Sequence, residues 1–463
     1  MWAPFGGPYV FPRRFSPEPK KEHSLTAAQA VVVLPSSAEE VSAAVRFANA
    51  HSLRFAVRGG GHSTAGASSA QDGMVIDLGL LRAVAVDPAA RTVRFGGGCL
   101  WADVDAACWA HGLATPGGTV SHTGVGGLIL GGGFGFLSSK HGLTIDALVA
   151  VDLVLADGSR VTADAERHPD LFWAARGAGA AFAVATSFTS RVFPQGRAWA
   201  GPLLFPPARV AEVVAATNEV LAGPPAGTGI TAGIGFIFSP PPERHPVLAV
   251  VSFYDGPRAE AEEVFAPLLR LGPLAVLAEE VDYPVVNTLA NAQFEHGARY
   301  QFGAANIRYP MDAAVVQAAA DAWYAGVEEM SADSTIGEDM RGAFVLFEGV
   351  PNAKIREVAP DATAFANRGE YFNVALGTKS TDPKNDGVLR AFRRRVAAII
   401  RDGGGFAGDE VGGRGVGQYN NYVEESMSAE TAFGGNARRL MELKAKYDPL
   451  NRFDKSWRLA PVE

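Results

Sequence analysis

Residues 58–63, Arg58-Gly59-Gly60-Gly61-His62-Ser63, and residues 116–135, PGGTVSHTGVGGLILGGGFG, are the two stretches that decide the fold. The first follows an apolar run, RFAV, that reads as a strand. Three glycines in succession can turn their amides inward without side-chain obstruction and form a concave anion site. With a net charge of −8 on the chain, local amides rather than the overall field would have to hold a pyrophosphate. Two standard phosphate loops are excluded by spacing. A Walker A loop needs G-x-x-x-x-G-K-[ST], and a Rossmann fingerprint wants Gly or Ala where Thr64 stands, with an acidic residue about 20 positions on. The second tract holds nine glycines in twenty residues, mixed with apolar ones. Flexible linkers are polar and Gly/Ser-rich, so this is not one. Backbone passing close to a large flat ligand accounts for it better. Of the 53 glycines, 20 lie between Gly59 and Gly142.

Around these tracts the chain reads as α+β. VVVLP (31–35) is a strand, and Ser37 with Glu40 makes a capping box that opens the helix EEVSAAVRFANAH. RFAVR returns as a strand, so strand, helix and strand have the size of a βαβ unit. MVIDL, TVRFGGG and LVAVDLVLADG are further strands, with a helix from about Leu100 to His111 between the last two. The opening 25 residues, with five prolines, read as an extended arm. Beyond about residue 200, proline-rich breaks separate strands such as VLAVVSFYD from helices such as RVAEVVAATNEVLAG and MDAAVVQAAADAWYAG. This predicts a second domain, an antiparallel sheet with helices on one face. ETAFGGNARRLMELKAKYDPLNRF reads as one amphipathic helix stopped by Pro449.

The 463 residues allow two or three domains. With 41 basic and 49 acidic residues, binding to nucleic acid or to an anionic membrane is not expected. Two cysteines, Cys99 and Cys108, cannot build a zinc ribbon, an iron–sulfur cluster or a disulfide scaffold, and both read as free thiols. No signal-peptide core, glycosylation sequon or apolar run of about 18 residues is visible, so an intracellular setting is expected. Removal of a leader would instead imply secretion. No metal ligand set is assigned.

The two glycine tracts, together with DLFWAARGAGAAFAVATSF and the C-terminal YNNY…KAKYDPLNRF, resemble the berberine-bridge-enzyme-like oxidases of the vanillyl-alcohol-oxidase (PCMH-type) flavoprotein superfamily. The resemblance runs from about residue 25 to 455 and is strongest in the first 200. It implies a two-domain PCMH-type FAD-binding fold with an inserted antiparallel-sheet substrate domain. The FAD-binding domain would comprise residues 1–198 and 413–463, with the substrate domain at 199–412. By the same resemblance His62 is joined to the flavin 8α-methyl, for which a neutral imidazole is a competent nucleophile. Many relatives add a cysteinyl link within C-P-T-V-G-x-G-G. Here Val120 holds the cysteine position, and a single histidyl linkage is expected.

The resemblance places further flavin contacts at Arg58, Gly59, Gly60, Gly61, Ser63, Gly117, Gly118, His122, Thr123, Gly126, Gly127, Gly132 and Gly133. Gly177, Phe182 and Val184 would lie near pyrophosphate and adenine. Tyr419, Asn421 and Tyr422 match the family's Y-x-N-Y. Thr123, nearly valine-sized, occupies the position that gates oxygen, which implies an oxidase releasing H2O2. A hydroxyl or amine donor must lose a proton as its hydride leaves, so a base is required. Glu357 falls where some relatives place theirs, and Tyr422 is its rival, needing a lowered pKa. The partners implied are a small-molecule substrate and O2, with no obligate protein partner. The substrate is expected to be a small alcohol, amine or secondary metabolite rather than a long oligosaccharide. Two alternatives stay open at this point: a same-fold dehydrogenase or lyase, and a flavin-retaining binding protein without turnover.

Overall fold

The computed structural model describes residues 9–12, 31–242, 244–333, 335–404, 419–422, 428–455 and 459–461. The first sheet is built on the strands around the GGGH loop. Val31–Leu34 and Phe55–Arg58 both run parallel to Met74–Asp77, which lies between them. The expected strand–helix–strand unit is therefore present, but a third strand separates its two strands. Its helix, Ala38–Ala50, starts as a capping box only in part. Ser37 Oγ accepts from Glu40 N at 3.3 Å, while the Glu40 carboxylate reaches past Ser37 to the Ser36 amide at 2.7 Å. Of the opening arm, Tyr9–Pro12 pairs antiparallel with Val31–Leu34; its other residues lie outside those described.

A five-stranded antiparallel sheet follows, centred on Ala183–Arg191. The helix that precedes it in space, Trp101–Trp109, is buried on one side with Cys99 at its start. Both cysteines are free, and burial pushes their thiols up, to about 11 for Cys99 and about 12 for Cys108. Such thiols are inert at neutral pH.

The change of texture near residue 200 marks a second sheet of eight strands, from Ala198–Phe205 to Tyr371–Ser380. Every recorded pairing in it is antiparallel. Its strands alternate in pattern. Ala232, Ile234 and Phe236, Val345 and Phe347, and Val374 and Leu376 face a core shared with helices Val210–Ala222, Ala313–Ser331 and Asp386–Gly403. Their neighbours face the opposite way, toward the first domain. The helices-on-one-face expectation holds, and the other face is left for a ligand. The first cut, between residues 198 and 199, falls inside the strand Ala198–Phe205; the second, at 412, lies outside the described residues.

The C-terminal segment returns to the first domain. It is two helices rather than one, Ala429–Phe433 and Ala437–Tyr447, because Gly434 takes φ +51° and ψ −127° and breaks the run. Its anchor is Lys444. Its ammonium donates to Asp448 Oδ2 and Ala181 O, each at 2.6 Å, and to Phe453 O at 3.1 Å, with both charged side chains fully buried. Removing one partner of such a pair strands the other. Lys444→Met is therefore expected to cost about 3–5 kcal/mol, read from the urea midpoint. Loss of under 1 kcal/mol would show that the segment is held some other way. Arg368, just before the strand Tyr371–Ser380, pairs bidentately with Asp146 on the helix Thr144–Ala147 at 2.7 and 3.0 Å while almost fully buried. No helix among the described residues is long and apolar enough to cross a membrane.

Candidate active site

The strand Phe55–Arg58 delivers the glycine loop to the edge of a cavity of about 650 Å³, and Gly59, Gly60, Gly61, His62 and Ser63 all line it. Gly61 needs a positive φ, +66°. Gly60 needs bareness for another reason: a Cβ there would strike the main chain of Gly124 in the second tract. The two glycine tracts thus touch backbone to backbone, which fixes His62 beside Thr123 and His122. His62 Nε2 lies 3.0 Å from His122 Nδ1, and His62 Nδ1 lies 3.3 Å from Thr123 Oγ1. His296 joins them from the inserted domain, and one ligand atom from each of the three imidazoles lies within 4.8 Å of the others. The sequence reading gave no hint of this cluster, since His296 is 234 positions from His62.

The second tract lines the cavity through Gly118, Thr123, Gly126 and Gly127, with Val120 beside them. A Cβ added to Gly127 would meet nothing within 4 Å. No thiol stands at the Val120 position, and Cys99 and Cys108 sit in the core behind it.

Several expected contacts are not among the cavity-lining residues. Arg58 is turned toward Asp77, 3.5 Å away. Gly117 packs on the Trp101 ring, Gly132 (φ +114°) and Gly177 (φ +130°) on Phe365, and Gly133 (φ +75°) on Leu128 and Thr144. These four glycines serve tight packing and turning rather than the cavity wall. His122 stands behind His62, off the wall. Phe182 and Val184 lie off the cavity wall by parity. Ala183 and Ala185 line the cavity, while Val184 points the other way, into the core under helix Ala38–Ala50. Phe182 is buried in the main core of the first domain.

The far wall is the free face of the eight-stranded sheet. Phe344 and Leu346 line it, and the same two-residue alternation carries one step past the strand Phe344–Phe347 to Glu348. Tyr422 donates its hydroxyl to Glu348 Oε1 at 2.8 Å. Glu348 Oε2 is sealed from solvent and has no hydrogen-bond partner among the described residues. Burial raises this carboxyl to about 8, against a partial lowering by Tyr422. The same burial, reinforced by the neighbouring Glu348, pushes the Tyr422 phenol well above its ordinary value. Tyr422 therefore lacks the lowered pKa that a base would need, and stands as the donor that orients Glu348. Tyr419 and Asn421 also line the cavity, with Asn421 Nδ2 donating to Tyr419 Oη at 2.8 Å and to Leu128 O at 3.1 Å.

Glu357 is placed elsewhere. It is exposed at the end of the short helix Ala353–Arg356, paired with Lys354 at 2.5 Å, and is not a cavity residue. The carboxylate of the site is nine residues earlier. The signal that could have found it is FVLFEGV (344–350), an alternating strand whose inward set ends on a glutamate.

The comparisons with known proteins follow this geometry. Residues 29–164 match the FAD binding domain family, and residues 418–456 match the berberine and berberine-like family. The chain is 34% identical to the FAD-linked oxidoreductase pgmH of Aspergillus terreus over 443 residues, 93% of this chain and 88% of that protein. Two solved structures share the fold. The 6-hydroxy-D-nicotine oxidase of Arthrobacter nicotinovorans superposes with a TM-score of 0.81 at 25% identity, covering 98% of each chain. The glucooligosaccharide oxidase of Acremonium strictum, described with a 6-S-cysteinyl, 8α-N1-histidyl FAD, superposes at 0.77 with 21% identity, covering 96% of this chain and 94% of its own. A glycine-walled cavity, the two family matches and a one-third-identical full-length relative make this chain an FAD-dependent oxidoreductase that belongs to the berberine-bridge-enzyme-like family.

Proposed function

We propose that the protein is an oxidase whose FAD is tethered through His62 alone, and that it oxidises a hydroxyl- or amine-bearing small molecule at the expense of O2. The observation that carries this reading is that His62 and Glu348 line one cavity from opposite walls. Its volume lies within the usual range for small-molecule sites, roughly 300–1,000 Å³. The residues fit a flavin: Gly59, Gly60, Gly61 and Gly127 give the wall bare backbone, and at Gly127 the space a Cβ would take is open. FAD held by this wall would supply the two-electron oxidation of the donor, with O2 as the final acceptor and H2O2 as product.

The protein's own residues do the rest. His62 Nε2 lies 3.0 Å from His122 Nδ1 and His62 Nδ1 lies 3.3 Å from Thr123 Oγ1; with the proton on Nε2, Nδ1 would be the atom that forms the tether. Glu348 Oε2 takes the donor's hydroxyl or amine proton, while the Tyr422 hydroxyl fixes the carboxyl plane through Oε1. Residues 1–198 and 413–463 hold the cofactor in this reading, and 199–412 supply the substrate wall. Val120 leaves the cysteinyl position without a thiol, so a second tether has no nucleophile.

Acid-precipitated protein run on a denaturing gel is expected to fluoresce under ultraviolet light, with the flavin on the peptide containing His62. A colourless band, or a flavin on any cysteine peptide, would refute the tether as proposed. Thr123 keeps the oxygen path open by its small size. Thr123→Leu is expected to slow reoxidation by air roughly tenfold or more, about 1.4 kcal/mol of barrier, and to spare anaerobic reduction. Stopped-flow traces that show equal reoxidation in both proteins would remove Thr123 from this role.

A further inference from the structure

Behind His62, off the cavity wall, three imidazoles from distant parts of the chain come together. His62 ends the first glycine loop, and His122 lies in the second tract. His296 stands in the turn between Asn291–Phe294 and the strand Arg299–Arg308. Neither His122 nor His296 is among the cavity-lining residues. Ring centroids are 5.0 Å apart for His62 and His122, 5.6 Å for His62 and His296, and 5.4 Å for His122 and His296. Three imidazoles on one tetrahedral ion, with metal–nitrogen distances of about 2.0–2.1 Å, place their centroids about 5.2 Å apart. The rings are tilted by 38°, 81° and 49°, so they do not form a stack. One nitrogen of each ring lies within 4.8 Å of the others. His62 Nε2 and His122 Nδ1, at 3.0 Å, need to part by only about 0.4 Å to share an ion.

The turn that carries His296 is held on both flanks. Asn291 Oδ1 accepts from the Ser121 amide at 3.1 Å, and Asn291 Nδ2 donates to Ser121 Oγ at 2.8 Å, one residue before His122. On the other flank Tyr300 donates its hydroxyl to Glu295 O at 2.7 Å. The outer nitrogen of His122, Nε2, faces Asn291 O at 3.5 Å, and a backbone carbonyl in that place orients a metal-bound imidazole. The group is three histidines, with no carboxylate or thiolate among its described members. An all-imidazole set suits Zn2+, Cu2+ or Ni2+, whereas Ca2+ and Mg2+ take oxygen ligands.

We propose that His62, His122 and His296 form a binding site for one divalent transition-metal ion, with Zn2+ as its type, which staples the inserted domain to the two glycine tracts. His62 binds through Nε2 and His122 through Nδ1. Water completes the shell on the open side, where His296 is exposed. The ion does not compete with the tether read above. A carbon on Nδ1 of His62 leaves the ring's lone pair on Nε2, where the ion sits.

The test uses the purified holoenzyme without a polyhistidine tag, stripped with EDTA and dialysed. By calorimetry it is expected to take up one equivalent of Zn2+ with a Kd of about 10 µM or tighter, and no Mg2+. His296→Ala, at an exposed position off the cavity, should weaken Zn2+ binding at least tenfold. His296→Cys, which keeps a ligand there, should recover most of the affinity. His245→Ala removes an exposed histidine elsewhere and should bind as the parent does. Zn2+ should also raise the thermal midpoint of the parent and not that of His296→Ala, because only the parent's folded state holds the ion. Failure to bind Zn2+, or equal affinity in the parent and His296→Ala, would overturn the inference. A colourless denatured band would refute the flavin tether separately, because calorimetry reads the ion alone.

Discussion

His62→Ala is expected to yield protein from which acid precipitation releases all of the flavin, where the parent chain retains it. The effect is all-or-none because His62 is the one imidazole among the described residues that line the cavity, and Val120 holds the cysteinyl position. Binding without the tether then rests on backbone amides and ring contacts. Flavin content should consequently fall on dilution, as an ordinary dissociation equilibrium requires. His122 acts through its partner. With His62 Nε2 held at 3.0 Å from His122 Nδ1, His122→Ala frees the imidazole to adopt either tautomer and either ring orientation. A reduced tethered fraction is expected, and His122→Asn, which can still accept from Nε2, should recover part of it. Full tethering in His62→Ala would end the proposal.

Glu348→Gln carries the other large effect. Loss of a positioned base typically costs about 10²–10⁴-fold, and anaerobic flavin reduction is the step where it should be seen. The parent enzyme should reduce faster as pH rises toward about 8, the pH at which burial lets the Glu348 carboxyl ionise. The glutamine variant should show no such rise. Stability should respond in the opposite sense. Between pH 4.5 and about 8 the folded chain keeps a proton on Glu348 that the unfolded chain releases. The folded state binds more protons there, so stability falls as pH rises through that window, and glutamine removes that component of the slope. A variant with unchanged reduction and an unchanged pH profile would exclude Glu348 as the proton acceptor. Tyr422→Phe should shift the profile rather than abolish turnover, because Tyr422 lowers the Glu348 carboxyl by donating to it.

Much of this site was legible in order along the chain. The GGGH loop, the second glycine tract and the Tyr419–Tyr422 motif all contribute residues to one cavity wall, and bare backbone at a ligand leaves a compositional mark. Gly117, Gly132, Gly133 and Gly177 carried the same mark for a different reason, packing against Trp101, Phe365, Leu128 and Thr144. Sequence alone does not separate a glycine that faces a ligand from one that faces a neighbouring ring. Val184 lies off the cavity wall for a reason of phase. In a strand one residue of offset exchanges the two faces, so Ala183 and Ala185 took the place of Val184. Glu357 lies off the wall for a different reason, standing exposed at the end of the helix Ala353–Arg356, while the alternation of Phe344 and Leu346 carries Glu348 onto it.

The sequence by itself determined the α+β class, the two glycine tracts, the histidine that ends the GGGH loop and the absence of a thiol in the second tract. Those features are local: each follows from which side chains are present or missing within a few residues. Only the tertiary structure decided that His296 joins His62 and His122, and that Tyr422 orients Glu348. Each of those contacts joins residues of separate strands, helices or domains. Their distances are set by sheet register and by the packing of the inserted sheet on the flavin-binding domain, which no short stretch of sequence records.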